Sequence, residues 1–340
     1  MAYTVPFKEG KWAQEGKGVP YESLIGTPYL KAQNRTLFYP SYFKLHLESM
    51  LYKLPLTLIL ILLYLCTLWR SPLIFIAFSL HSLLLLARIY ILGRPPVSNM
   101  METVLYVPWI TVLSSLPFFR YRYLICGASI VSALLLLFYP LHQQFENVQA
   151  VLDSGYWLFS HVLMVVGSYG VFFLAGLMGH IYFVWPQDTL FKIMLQMMYI
   201  GTGLLIVGTV LGGVWALNSW GRFWDWDPKE SWAFISSGLY LIWIHAYKFG
   251  VIRKQTLATG AIIGLMTITF TWYGVNYILG TGLHSYGFGE GGHTLYFLYL
   301  GGEILFLMAA LKIKNIFYKK KRTLFTKDKH VRIAKKQPKQ

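Results

Sequence analysis

Charge is what this chain has least of. Of 340 residues only 13% are Asp, Glu, Lys or Arg, whereas 56% are hydrophobic and 17% aromatic. A soluble domain carries roughly a quarter charged residues, so a water-soluble globule is excluded and an integral membrane protein is expected. Cysteine is scarce too. Cys66 and Cys126 stand alone in apolar runs with no C-x-x-C, which leaves neither a thiol redox motif nor a thiolate zinc site. Acidic residues number 14 against 30 Lys plus Arg, for a formal net charge of +16. No internal repeat stands out, no loop is long enough for a large soluble domain, and the N-terminus lacks the features of a cleavable signal peptide.

What the chain does have is long apolar runs. Nine approach the length of about 17 to 25 residues that crosses a bilayer: 54–70, 72–92, 103–119, 121–141, 157–185, 194–217, 231–248, 255–279 and 293–313. The first, third and seventh are short, so eight spans fit as well as nine. The expected fold is all-α, a polytopic membrane helical bundle of 8 to 9 transmembrane helices with an external tryptophan-rich loop. The chain divides into an arm (1–53), a membrane domain (54–313) containing the tryptophan-rich segment 212–234, and a basic tail (314–340).

Lys and Arg set the orientation. From Leu311 onward there are twelve, against one Asp, with "YKKKRTLF" directly after the last run. That end is expected in the cytoplasm. Counting back puts "YKFGVIRKQ" (247–255) and "FRYRY" (119–123) on the same side. The tryptophan-rich loop and the segments 93–100, 142–156 and 280–293 then face outward. With nine spans the arm would also lie outside, against its seven Lys or Arg. The basic tail suits anionic lipid, and no nucleic-acid partner is expected.

The stretch "WALNSWGRFWDWDPKESWAF" (215–234) places Trp215, Trp220, Trp224, Trp226 and Trp232 where a membrane helix should emerge into water. An interfacial aromatic belt accounts for two or three of them. The rest, beside Gly212, Gly213 and Gly221, which permit close backbone approach, suit a broad planar apolar ligand. "DPKE" reads as a helix start, with Asp227 as N-cap, Pro228 first and Glu230 third. Arg222 and Lys229 add positive charge that matches a ligand carboxylated at its edge.

Histidine is expensive inside a bilayer and is a common ligand of haem iron. His161 opens the fifth run and His284 follows the eighth, both on the side of the tryptophans. His245 stands thirteen residues past Trp232, roughly 20 Å deeper along a helix. His81 is mid-span, where a ligand and a buried hydrogen-bonded histidine are equally open readings. His142, His180 and His293 read as interfacial, and His46 and His330 lie in polar arms.

The tryptophan-rich stretch resembles the WWD signature of the haem-handling proteins. "GRPPVSNMMET", "WLFSHV", "LIWIHAYK" and "GTGLHSYGF" resemble the companion motifs of its CcsA branch, also called ResC, over roughly residues 75 to 310. Met101 departs from the pattern, which has Tyr before the glutamate. The resemblance implies a cytochrome c biogenesis protein that works with a CcsB (ResB) partner as a holocytochrome c synthase. Such a protein moves haem b, as bound substrate, to the outer face and attaches it to the C-x-x-C-H motif of apocytochrome c, with thiol-reducing factors assisting. It implies His161 and His284 as axial ligands of the external haem iron. It implies His245 as ligand of a membrane haem, with the opposite ligand from the partner or from His81.

No acid-base catalyst is expected, because thiol addition is helped chiefly by orientation and by reduced iron. The basic chain favours a bacterial inner membrane, with the tryptophan loop periplasmic. Two rivals remain at this level. One is a haem transporter without ligation activity. The other is a bis-His electron-transfer cytochrome, whose helices pair histidines thirteen or fourteen apart, whereas His161 and His180 are nineteen apart.

Overall fold

The computed structural model describes residues 46–47, 51, 56–138, 154–280 and 294–312, with Trp220 described in its backbone alone. Outside the described residues lie most of the arm, His142, the segment 281–293 with His284 and His293, and the tail with His330.

Among the described residues every regular element is helical. In chain order they are α1 (Leu56–Cys66), α2 (Leu73–Leu92), α3 (Met100–Ser115), α4 (Arg122–Leu136), α5 (Gly155–Val184), α6 (Asp188–Trp220), α7 (Pro228–Lys248), α8 (Lys254–Leu279) and α9 (Thr294–Lys312). Each falls on one of the nine apolar runs. Five of them, α2, α5, α6, α8 and α9, are long and apolar enough to cross a membrane. The protein is a helical polytopic membrane protein.

Helix ends follow local chemistry. Gly93 (φ 69°) and Gly221 (φ 76°) close α2 and α6 in the left-handed conformation that glycine adopts without steric cost. Asn99 caps α3 by accepting from the Glu102 N–H at 2.8 Å.

Burial identifies the axis of the bundle. In its most apolar window α5 is 72% buried, against 28% for α2 and 11% for α9. Its partners come close because its packing face carries glycine: a Cβ on Gly170 would sit 2.8 Å from the Val107 carbonyl oxygen of α3, and one on Gly179 2.9 Å from the Ala258 carbonyl oxygen of α8. Small residues that let backbones approach are a general means of helix association in lipid. Thr111 of α3 adds a bond to the Gly170 carbonyl at 3.1 Å. Around α5 lies the larger apolar core, with Val107, Leu124, Phe172, Met194, Tyr240 and Ala261 drawn from six helices. A second core joins α1 to α4 through Leu60, Tyr64, Ile74, Leu105 and Ile125.

The bundle has two distinguishable ends. At one, Lys254 of α8 pairs with Asp188 of α6 at 2.6 Å, and Arg122 donates to the Leu68 carbonyl at 2.9 Å. At the other, the starts of α3, α5 and α7 meet the ends of α6 and α8. The tryptophan-rich segment belongs to this second end, called here the tryptophan end.

Gly179→Val is expected to lower stability by about 1–3 kcal/mol through overpacking against α8. Thermal unfolding of the detergent-purified protein measures this.

Candidate functional site

The site begins with a change of helical pitch. Residues 158–162, the "LFSHV" that holds His161, form a π-helical turn inside α5. Such turns insert a residue into the helical repeat and occur often at functional positions. This turn directs the imidazole at α6. Nδ1 donates to the Gly208 carbonyl oxygen at 2.6 Å, which in a neutral ring leaves the lone pair on Nε2. The ring meets Trp215 edge-on at 5.8 Å, and Trp215 is stacked with Trp157 at 6.3 Å and 11°. Gly212 makes the approach possible: a Cβ there would stand 2.5 Å from His161 Cε1.

Past α6 the loop folds back. A Cβ on Gly213 would meet the Phe223 ring at 2.6 Å, so this glycine receives the loop. Arg222 pairs with Asp225 at 2.6 Å. Trp226 adopts φ 56°, a left-handed backbone rare for a bulky residue, and its side chain is 72% exposed. The strain is of order 1–3 kcal/mol. Trp224 lies perpendicular to Trp226, 5.9 Å away, and also meets Phe234.

The loop ends in a full capping box. Asp227 accepts from the Lys229 N–H at 2.8 Å, and Glu230 accepts from the N–H groups of Asp225 and Asp227 at 3.0 and 3.4 Å. Lys229 turns inward, and its Nζ donates to the Trp272 carbonyl at 3.2 Å. Burial lowers this ammonium from its ordinary value to about 7, against the opposing pull of the Asp227 carboxylate.

A second π-helical stretch, residues 270–279, ends α8. It is fastened on two sides. Trp232 packs on Phe270 at 4.3 Å, and Thr271 bonds both Ser236 (2.9 Å) and the Trp232 carbonyl (3.3 Å). From the opposite side Trp272 Nε1 donates to Thr103 at 2.9 Å, and Asn276 Nδ2 contacts Met100 Sδ at 3.7 Å. Met100 and Thr103 belong to "GRPPVSNMMET". That motif is locked by Arg94, which forks onto both oxygens of buried Glu102 at 2.9 and 3.2 Å, while the Ser98 N–H donates to the same carboxylate. The segment is therefore a brace for the π-helical end of α8.

The sequence-derived candidates fall into separate groups. His161 and Trp215 share one cluster. Trp224 and Trp226 lie together in the loop, Arg222 and Asp227 flank them, and Trp232 is turned onto α8. His284 and the Trp220 side chain lie outside the described residues. His245 is exposed on α7, stacked on Phe249 at 6.2 Å, with Nδ1 donating to the Leu241 carbonyl at 2.8 Å. His81 is fully buried between α1 and α2, with Nδ1 2.8 Å from the Tyr64 hydroxyl. Its Nε2 is buried without a hydrogen-bond partner. Trp157, Trp272, Thr103 and the Arg94–Glu102 pair were missed by sequence reasoning. Trp157 was visible within "WLFSHV", whereas the partners of Trp272 emerge only when α3 and α8 are placed together.

The model of the cytochrome c assembly protein family matches residues 97–284. Protein NrfI of Wolinella succinogenes is 35% identical over 233 residues, covering 63% of this chain and 26% of NrfI. The cytochrome c biogenesis protein CcsA of Zea mays is 29% identical over 197 residues, 56% of this chain and 60% of its own length. That of Nymphaea alba is 27% identical over 280 residues, 68% of this chain and 90% of its own. The chain thus spans about a quarter of NrfI and three-fifths of the maize protein. Among solved structures, that of the cytochrome c heme lyase CcmF has a TM-score of 0.50 at 16% identity, over 82% of this chain and 58% of CcmF, which shows a shared fold.

Trp226→Gly removes an exposed ring and the left-handed strain together. Stability in chemical denaturation is expected to stay unchanged or rise by about 1 kcal/mol.

Proposed function

Because this chain belongs to the cytochrome c assembly protein family, we propose that it holds haem at its tryptophan end and presents it there for covalent attachment to apocytochrome c. One observation carries the reading: a histidine on a π-helical turn, its tautomer set by the Gly208 carbonyl, set against the Trp157–Trp215 stack. The Nε2 lone pair is the donor that haem iron takes from imidazole, and the half-buried Trp157 ring, backed by buried Trp215, suits the porphyrin plane. In this reading His161 is one axial ligand of the haem iron, and His284, outside the described residues, is the other.

When bound as substrate, haem supplies iron and two vinyl groups. Each cysteine thiol of the C-x-x-C-H motif adds across a vinyl double bond, sulfur to one carbon and hydrogen to the other, so the addition needs no net oxidant. The chain's part is orientation. Imidazole ligation and the aromatic walls fix the ring plane, and exchange of one axial histidine for the histidine of the apocytochrome motif aligns the thiols. Lys229 and Arg222 would offer charge to the haem carboxylates by exchanging their present partners, the Trp272 carbonyl and Asp225.

His245 fits a second, membrane haem. It faces away from the chain's own core, so its opposite ligand would come from another chain, in this reading a CcsB/ResB-type partner. The tryptophan end would face the periplasm of a bacterial inner membrane, and the complex as a whole would be the haem lyase.

The deciding experiment is the absorption spectrum of the complex copurified with its partner. Wild type is expected to show low-spin haem, and His161→Ala with His284→Ala to lose it or turn it high-spin. A spectrum indifferent to both histidines would overturn the external bis-histidine site. Gly212→Ala, which pushes on the His161 ring, is expected to give a mixed-spin spectrum that added imidazole restores.

Charge at Lys229 adds a pH dependence. Protonated Lys229 attracts a carboxylate, so its contribution to haem affinity is present below about pH 7 and fades as pH rises through that value. Haem titrations across this range should show the decline as a falling ratio of wild-type to Lys229→Met affinity, since proton competition at the imidazole ligands is common to both.

A further inference from the structure

The histidine that sequence reasoning treated as interfacial has an intramembrane partner. His180 lies in α5 four residues before its end, and its Nε2 is 2.7 Å from Glu303 Oε2 in the middle of α9. Its Nδ1 is 2.8 Å from the Gly176 carbonyl oxygen. Both neighbours are acceptors by nature, which restricts protonation. Nδ1 must carry a hydrogen, and exactly one further proton must lie between Nε2 and the carboxylate for the contact to be a hydrogen bond. It belongs either to an imidazolium facing a carboxylate or to a carboxylic acid facing a neutral imidazole, and the two forms differ only by transfer across 2.7 Å.

The surroundings keep this pair out of water. Phe306 lies 4.7 Å from the imidazole, and the two side chains, on the apolar helices α5 and α9, are 26% and 12% exposed. Ionisable residues at membrane depth are costly and mark ion or proton pathways. A simple fastener for α9 would need only neutral hydrogen-bonding groups.

The pair is also not isolated. One turn before Glu303, the Tyr299 hydroxyl sits beside Glu303 and Thr269 without closing a full hydrogen bond. Tyr240 of α7 is fully buried, and its hydroxyl also lacks a bonded partner. Farther along, the Tyr296 hydroxyl lies 3.4 Å from Thr269 Oγ1. Tyr296, Tyr299 and Glu303 occupy one face of α9 at helical spacing. Thr269 directly precedes the π-helical end of α8. Hydroxyls of α8 and α9 therefore lie between the His180–Glu303 pair and the tryptophan end, with Tyr296 and Thr269 in contact. Orphaned buried hydroxyls cost about 1–3 kcal/mol each, and such groups in native structures call for a reason beyond packing.

We propose that His180 and Glu303 form an intramembrane proton-binding site, linked to the tryptophan end by the hydroxyls of Tyr299, Tyr240, Thr269 and Tyr296. The ligand is a single exchangeable proton. At loading, one proton joins the pair when both groups are unprotonated, forming the O–H bond of a Glu303 carboxylic acid that donates to neutral His180, the uncharged form that low-polarity surroundings favour, and it leaves from the same oxygen at unloading. The titratable groups facing the pair are Tyr299 of α9 and, through it, Tyr240 of α7. Among the described residues α8 contributes the non-titrating Thr269 there.

The test is infrared difference spectroscopy of the full chain in lipid nanodiscs, between about pH 5 and pH 9, in light and heavy water. Wild type is expected to show a carboxylic-acid carbonyl band that grows as pH falls and shifts on deuteration. Glu303→Gln should lose the band completely while keeping a hydrogen bond to His180. His180→Gln should retain the band with its midpoint moved by about one pH unit or more. If Glu303→Gln fails to fold, Glu303→Asp serves in its place, with the band kept at a displaced midpoint. A band unchanged in either Glu303 variant, or no titrating carboxyl in wild type, would overturn the proposal and make the pair a fixed fastener of α9.

Discussion

Close approach of α5 to its neighbours is the constraint on which the remaining architecture depends. Gly170 lets α3 in, Gly179 lets α8 in, and Gly208 and Gly212 on the facing side of α6 admit the start of α5 itself. In hydrocarbon no hydrophobic force drives helices together, so contact distance and shape complementarity do the work. These contacts also set the position of His161: its ring lies in the space that a side chain at Gly212 would fill, and its proton goes to a carbonyl one turn away on the same helix. Core packing and site geometry are here a single arrangement.

The tryptophan end is braced from several directions. The capping box at Asp227 fixes the start of α7, Trp232 and Thr271 attach α7 to α8, and Trp272 ties α8 to the start of α3. The Arg94–Glu102 fork, with its carboxylate buried, anchors that last tie. Breaking a buried pair by removing one partner is costly, which makes this fork an effective anchor for a motif that touches no candidate ligand site directly. Against this rigid frame, the left-handed backbone of Trp226 is the one strained feature of the loop, and it holds a bare indole out from the surface.

Much of this could be read in the chain itself. Low charge and nine apolar runs gave the helical membrane fold, and the "DPKE" box was legible because capping is local chemistry spread over four residues. The position of His161 near the start of its helix was legible too. The π-helical turns were not, because a one-residue expansion leaves hydrophobic periodicity almost unchanged over so short a stretch. Nor did sequence reasoning divide the tryptophans. Spacing alone suggested one shelf, yet Trp215 stacks against Trp157, Trp232 packs on Phe270 and Trp226 projects outward. The partners that decide these orientations lie 38 to 58 positions away, beyond the reach of local pattern. His180 shows the same limit more strongly, since its carboxylate stands 123 residues along the chain.

The posture of His245 bears on how such a protein is made. A ring turned toward acyl chains with both nitrogens unmet would burden the newly inserted helix. Because Nδ1 is already engaged by the Leu241 carbonyl one turn back, the helix carries its own provisional satisfaction. Insertion of α7 into the bilayer therefore leaves one nitrogen of this ring satisfied within the helix itself, whatever the other one meets.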